Sequence, residues 1–79
     1  MTNADYKTLT ELLRGSDIEV RPGVPNKSVV AEGLRKVELE IMRDPTGNFY
    51  TTAEDAKGRT HGYMFRNWTT LIKALKEMA

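Results

Sequence analysis

Hydrophobic and polar residues alternate along the chain from Val37 to Phe65, and two short turns interrupt the alternation. Both turns read Asp-x-x-Gly, one from Asp44 to Gly47 and one from Asp55 to Gly58. Aspartate at the first position and glycine at the fourth favour a type I turn followed by a left-handed residue, the geometry of a three-residue hairpin loop. Two such loops in succession predict a three-stranded antiparallel meander.

The two turns predict one and the same strand register. Three-residue loops place Ile41 opposite Thr51 and Thr51 opposite Tyr63, so side chains of equal parity share a face. The odd-numbered face then collects the hydrophobic residues Val37, Leu39, Ile41, Phe49, Tyr63 and Phe65. A slip by one residue would turn all of them toward solvent, so we expect this register to be strongly specified.

Helical spacing of hydrophobic residues predicts one helix at each end of the chain. The first helix has Asn3 as its cap and Gly15 just past its end, and its apolar stripe consists of Tyr6, Leu9, Leu12 and Leu13. The second follows Asn67 as its cap, with apolar residues at i, i+3, i+4 and i+7, namely Trp68, Leu71, Ile72 and Leu75.

The segment between the first helix and the meander is less regular. Ile18 and Val20 alternate with charged residues and predict a brief strand that ends before Pro22. Residues 28–36 favour an irregular strand with a bulge near Gly33, and a short helix is the alternative.

These elements predict an α+β fold in a single domain, residues 1–79. An antiparallel sheet of three to four strands would carry both helices on one face, as a two-layer sandwich. The chain is 39% hydrophobic and 29% charged, with a net charge of +1 and no cysteine, which is typical of a globular protein and excludes disulfides and zinc–thiolate sites. No apolar run is long enough for a membrane span, and the polar N-terminus favours a cytoplasmic address.

The same register leaves the even-numbered face of the sheet without a covering layer. Met42, Tyr50 and Met64 would lie side by side across three strands, bordered by three carboxylates, Glu38, Glu40 and Glu54. Tyrosine and methionine are enriched at interfaces because they offer a large and adaptable contact area. This face is either an ordinary solvated sheet surface or the contact surface for a protein partner, and self-association through it or through a free edge strand is a variant of the second reading.

Charge is distributed unevenly although its sum is close to zero. Residues 37–55 carry five acidic side chains and one basic one, whereas residues 57–76 carry five basic side chains and no acidic one. The basic residues suggest an alternative role as a small nucleic-acid-binding regulator, and they are Lys57, Arg59, Arg66, Lys73 and Lys76.

No arrangement of residues predicts catalysis or a bound cofactor. His61 is the only histidine, and its expected neighbours, Ala53, Thr51 and Tyr63, supply neither a nucleophile nor a metal ligand set. Asp44 and Asp55 are accounted for as turn formers, and the chain has no glycine-rich phosphate loop and no nucleophile elbow. We expect neither enzymatic activity, nor a metal, nor a cofactor.

The predicted order of elements resembles the topology of the double-stranded-RNA-binding domain. The last helix of that family begins with a lysine-rich segment, whereas here it begins Arg66-Asn67-Trp68-Thr69-Thr70, so RNA binding is not implied. The segment from Gly62 to Leu71 resembles the strand-to-helix junction of the single-strand-binding transcriptional coactivator fold. In size and composition the chain is similar to small accessory proteins of phages and plasmids, which often block a host complex. We therefore expect a non-catalytic protein-binding module, an inhibitor or an adaptor.

Overall fold

A computed structural model describes residues 1–78 of the chain. It has an N-terminal helix, five strands in antiparallel sequential order and a C-terminal helix. Their bounds are α1 Asn3–Leu12, β1 Glu19–Pro22, β2 Ser28–Glu32, β3 Glu38–Arg43, β4 Phe49–Glu54, β5 Thr60–Phe65 and α2 Trp68–Met78. The α+β class is confirmed, and the sheet has five strands where the sequence predicted three to four.

The predicted register of the meander is confirmed in both hairpins. Ile41 pairs with Thr51, and Thr51 pairs with Tyr63. In each loop the backbone N–H of the glycine donates to the carbonyl of the turn aspartate at 3.0 Å, and the glycine has a positive φ, 92° at Gly47 and 81° at Gly58. Glycine occupies this left-handed conformation without a steric penalty, which explains why both turns end on it.

The core lies between the odd-numbered face of the sheet and the two helices. Its fully buried large side chains include Leu9, Leu39, Ile41, Phe49, Leu71 and Leu75. Phe49 packs on Trp68 with ring centroids 4.6 Å apart. The guanidinium of Arg43 lies 5.8 Å from the ring centroid of Trp68 in α2 and forms an ion pair with Asp5 of α1 at 2.8 Å, so this residue links the sheet to both helices.

Three local predictions are corrected by the structure. The cap of α1 is Thr2 and not Asn3, because the Thr2 hydroxyl accepts from the Asp5 N–H while the Asp5 carboxylate accepts from the Thr2 N–H. The strand over residues 28–32 is regular and ends before Gly33, without a bulge. Tyr63 is on the helix side, as expected, but is 44% exposed because β5 is an edge strand.

Neighbouring residues of β3 test the assignment of the two sheet faces. Ile41 is fully buried, whereas the side chain of Met42 is on the opposite face and is 37% exposed. We expect Ile41→Ala to lower the free energy of unfolding by about 2–5 kcal/mol, and Met42→Ala to lower it by less than about 1 kcal/mol. Urea unfolding of both variants measures the difference. Equal losses for the two substitutions would contradict the face assignment.

Candidate functional site

Three exposed hydrophobic side chains form a row across the sheet face that no helix covers. Met42 pairs with Tyr50, and Tyr50 pairs with Met64. Their exposed fractions are 37%, 41% and 49%, respectively. The predicted juxtaposition is therefore present, and we call these three residues the apolar row.

A shallow groove lies beside the apolar row on the same face. It has a volume of about 600 Å³, and its lining includes Val30, Lys36, Glu38, Glu40, Thr52, Glu54 and Thr60. Thr52 follows Tyr50 by two positions on β4, so the groove begins about 7 Å from the apolar row. All three carboxylates predicted at the border of the face are among the lining residues. We call this depression the acidic groove.

The three carboxylates of the acidic groove differ in how far they are neutralised. Glu38 accepts from Arg21 at 2.7 Å, and Glu40 accepts from the Ser28 hydroxyl at 2.9 Å. Within residues 1–78, neither Glu40 nor Glu54 forms an ion pair, and the Glu54 carboxylate also accepts no hydrogen bond. Glu54 therefore brings the least compensated negative charge to the groove.

Strands β1 and β2 pair with each other, and β2 also pairs with β3, so the two strands extend this face beyond the predicted three-stranded meander. Arg21 of β1 bridges Glu32 of β2, at 3.1 Å, and Glu38 of β3. The hydrogen bond with Glu32, followed by the charge of Glu38, raises the pKa of Arg21. The signal that could have revealed the β1–β2 hairpin is the loop at residues 23–27, where two strand-like segments flank glycine, proline and asparagine.

The five basic residues proposed for nucleic-acid binding are exposed but are distributed over several elements. Lys57 and Arg59 belong to the β4–β5 loop, Arg66 follows β5, and Lys73 and Lys76 lie on α2. The six residues of β5 lie between Arg59 and Arg66, so seven steps of extended chain separate them by about 23 Å. Arg59 is also paired with Asp55 at 3.0 Å. These two guanidinium groups therefore cannot contact the same phosphate.

His61 has a partner that the sequence did not indicate. It pairs with Ala53 across the strands as predicted, but its Nε2 atom lies 2.9 Å from Asp55 Oδ2. Asp55 Oδ1 also accepts from the backbone N–H groups of Lys57 and Arg59, both at 2.9 Å. The hydrogen bond with His61, followed by the bond from the Arg59 backbone, lowers the pKa of Asp55 to about 2. The side chain of Asp55 therefore organises the whole β4–β5 loop.

The described part of the chain has neither a cluster of metal-ligating side chains nor a membrane-spanning helix. Residues 1–78 contain no group of three or more histidine, cysteine, aspartate or glutamate side chains placed to hold a metal ion. Neither of the two helices described is long and apolar enough to cross a bilayer.

Comparison of the chain with protein-family models, with curated proteins and with solved structures finds no significant match. The candidate site therefore rests on its own geometry, a hydrophobic row beside an acidic groove on an uncovered sheet face.

The low pKa of Asp55 predicts a pH dependence of stability. A carboxyl whose folded-state pKa lies below its unfolded value stabilises the fold above the unfolded pKa and loses this effect as pH falls through the folded one. With a folded pKa of about 2, the stability advantage of the wild type over Asp55→Asn should be complete at about pH 6 and shrink steadily toward about pH 2.5. Urea unfolding over this range tests it. A difference that does not change with pH would contradict the role assigned to Asp55.

Proposed function

We propose that the protein is a non-catalytic protein-binding module that acts as an inhibitor or adaptor through its open sheet face. The centre of the contact is the apolar row, Met42, Tyr50 and Met64. Glu38, Glu40 and Glu54 of the acidic groove form the adjoining charged part. The observation that carries this proposal is that the two features lie side by side on the face left uncovered by both helices.

The chemistry of the face defines the partner. Apolar side chains of the partner would pack against Tyr50 and the two methionines, which provide large and adaptable contact area. A lysine or arginine of the partner would enter the acidic groove, where Glu54 has no cation of its own within residues 1–78. We therefore infer a protein partner whose surface presents basic side chains next to an apolar patch.

The dimensions of the face suit a small, regulatory contact. Five strands at about 4.8 Å spacing are about 24 Å wide, and six residues of strand are about 20 Å long. This outline is smaller than the roughly 800 Å² that each partner buries in a standard interface. A partner covering only this face would bind weakly, so we infer either a transient complex or additional contacts at the border of the sheet.

Nucleic acid is the alternative ligand, through Lys57, Arg59, Arg66, Lys73 and Lys76. Two features favour the protein partner over it. The carboxylates of the open face repel phosphate, and Arg59 is already paired with Asp55. Binding through several phosphates would also make the affinity fall steeply with salt, because counterions are released.

Two tyrosines on opposite sides of the sheet provide a matched test of the proposal. Tyr50 and Tyr63 are 41% and 44% exposed, but only Tyr50 lies on the open face. In a nuclease-treated affinity pull-down from the native cell, quantified by mass spectrometry, wild type and Tyr63→Ala should enrich the same protein. Tyr50→Ala should bind that protein about 10- to 100-fold more weakly, as expected of a central aromatic contact.

Glu54→Gln tests the charged part of the contact, because it removes the charge and retains the shape of the side chain. It should weaken the same complex and reduce its dependence on salt. Equal binding by Tyr50→Ala and Tyr63→Ala, with both variants folded, would rule out the open face. If a parallel pull-down without nuclease recovers nucleic acid, lost steeply between about 50 and 200 mM salt, and the nuclease-treated one recovers no protein, the alternative would replace the proposal.

A further inference from the structure

The backbone groups that face outward from the two edge strands can be assigned from the hydrogen bonds of the loops. In the β4–β5 loop the Asp55 N–H donates to the Arg59 carbonyl at 2.8 Å. Hydrogen-bonded pairs alternate along an antiparallel ladder, so His61, Tyr63 and Phe65 also bond to β4. The N–H and C=O groups of the three residues between them therefore point away from the sheet, and these residues are Thr60, Gly62 and Met64.

The other edge of the sheet, β1, is protected against strand pairing. Gly23 N–H donates to the Ser28 carbonyl at 3.1 Å, which by the same alternation turns the backbone groups of Val20 and Pro22 outward. The Tyr6 hydroxyl donates to the Val20 carbonyl at 3.2 Å, and Pro22 has no N–H. Because Tyr6 of α1 occupies the Val20 carbonyl and Pro22 has no N–H, the Val20 N–H is the one outward backbone donor left in β1.

Strand β5 has none of these protections. It is six residues long and contains no proline and no lysine, and its pairing with β4 runs without a bulge. No other group within residues 1–78 forms a hydrogen bond with the outward N–H and C=O groups of Thr60, Gly62 or Met64. A long and uncovered edge of this kind is a template for another strand.

Gly62, in the middle of this edge, is not required by the fold of the chain itself. Its φ lies outside the left-handed region, and a Cβ added to it would meet no atom within 4 Å. Glycine inside a strand weakens it, and it often marks a place where another backbone approaches closely. The position of Gly62 is therefore a second observation that indicates a strand added next to β5.

The charged residues at the two ends of β5 determine which kind of segment could pair with its free edge. Lys57 lies before the strand and Arg66 after it, and neither forms an ion pair within the described residues. A second copy paired antiparallel about Gly62 would place its own Arg66 opposite Gly58, next to Lys57, at both ends, and like charges disfavour this arrangement. A segment with acidic residues at both ends would be attracted in either strand direction.

We propose that the β5 edge binds an extended peptide segment of a partner protein, with acidic side chains at its ends, as a sixth strand of the sheet. The three outward residues of β5 supply three N–H donors and three C=O acceptors to the new ladder. This edge adjoins the open face at Met64, whose side chain belongs to the apolar row, but strand addition uses the backbone groups of β5. Its test measures exchange of backbone amides, whereas the test of the open face measures the effect of Tyr50→Ala. Either proposal can therefore fail without the other.

The test uses a defined peptide, acetyl-Glu-Thr-Val-Thr-Val-Thr-Val-Glu-amide, and a matched peptide with lysine in place of both glutamates. Amide hydrogen exchange is followed by NMR on the full chain. At a concentration about ten times its Kd, the glutamate peptide should slow exchange at Thr60, Gly62 and Met64 about tenfold. The amides of His61 and Tyr63 are already bonded to β4 and should change much less. The lysine peptide should bind at least about tenfold more weakly.

Three results would overturn the inference. The first is the absence of alternating protection with either peptide, and the second is equal protection by both. The third is concentration-dependent protection of the same amides in the protein alone, which would identify a second copy as the occupant.

A pair of variants isolates the backbone contribution. Gly62→Pro removes one outward N–H and should weaken the glutamate peptide about tenfold, whereas Gly62→Ala keeps this donor and should lose less affinity. Equal affinities of the two variants would contradict strand addition. If Gly62→Pro does not fold, the comparison of the two peptides on the wild-type chain decides the question.

Discussion

The left-handed backbone conformation of two glycines holds this sheet in register. Gly47 and Gly58 close the two hairpin loops with φ values of 92° and 81°. Each loop has three residues inside a closing hydrogen bond, from Asp44 N–H to the Asn48 carbonyl or from Asp55 N–H to the Arg59 carbonyl. Because side chains alternate along a strand, this loop length decides which of them meet the helices. The packing of Phe49 on Trp68 and the exposure of Tyr50 follow from the same constraint. A register shifted by one residue would bury the apolar row and expose the core.

The fold leaves one face and one edge of the sheet uncovered, and these two surfaces differ in charge. The open face carries a hydrophobic row beside an acidic groove. The β5 edge lies between Lys57 and Arg66, and its outward backbone groups have no partner within the described residues. The two helices cover the inner face of the sheet, and Tyr6 and Pro22 protect its other edge, strand β1. The net charge of the chain is only +1. Its charged surfaces therefore arise because acidic and basic side chains lie in different parts of the structure.

Sequence patterns predicted those parts of the structure that are determined by residues close together in the sequence. The meander follows from two Asp-x-x-Gly turns, and α2 follows from an apolar stripe with an asparagine cap, whose Oδ1 accepts from Thr70 N–H at 2.9 Å. The β1–β2 hairpin depends instead on specific contacts of the Ser28 side chain, within the loop and with β3. Ser28 Oγ accepts from Val24 N–H at 2.7 Å and donates to Glu40, and a Cβ on Gly23 would clash with it. The composition of the loop at residues 23–27 is compatible with a hairpin but does not specify these contacts or the strand register, so Arg21 and Glu32 were missing from the predicted face. The exposure of Tyr63 depends on β5 being an edge, which local patterns do not reveal either.

The four methionines of the chain allow the most direct measurement of which side chains are left uncovered. Met42 and Met64 lie on the open face with exposed fractions of 37% and 49%, whereas Met1 is 9% exposed in the core. With ¹³C-methyl methionine and a soluble paramagnetic agent, the account predicts strong relaxation enhancement of the Met42 and Met64 methyl signals and weak enhancement of Met1. Methyl signals of Met42 and Met64 as protected as that of Met1 would contradict it.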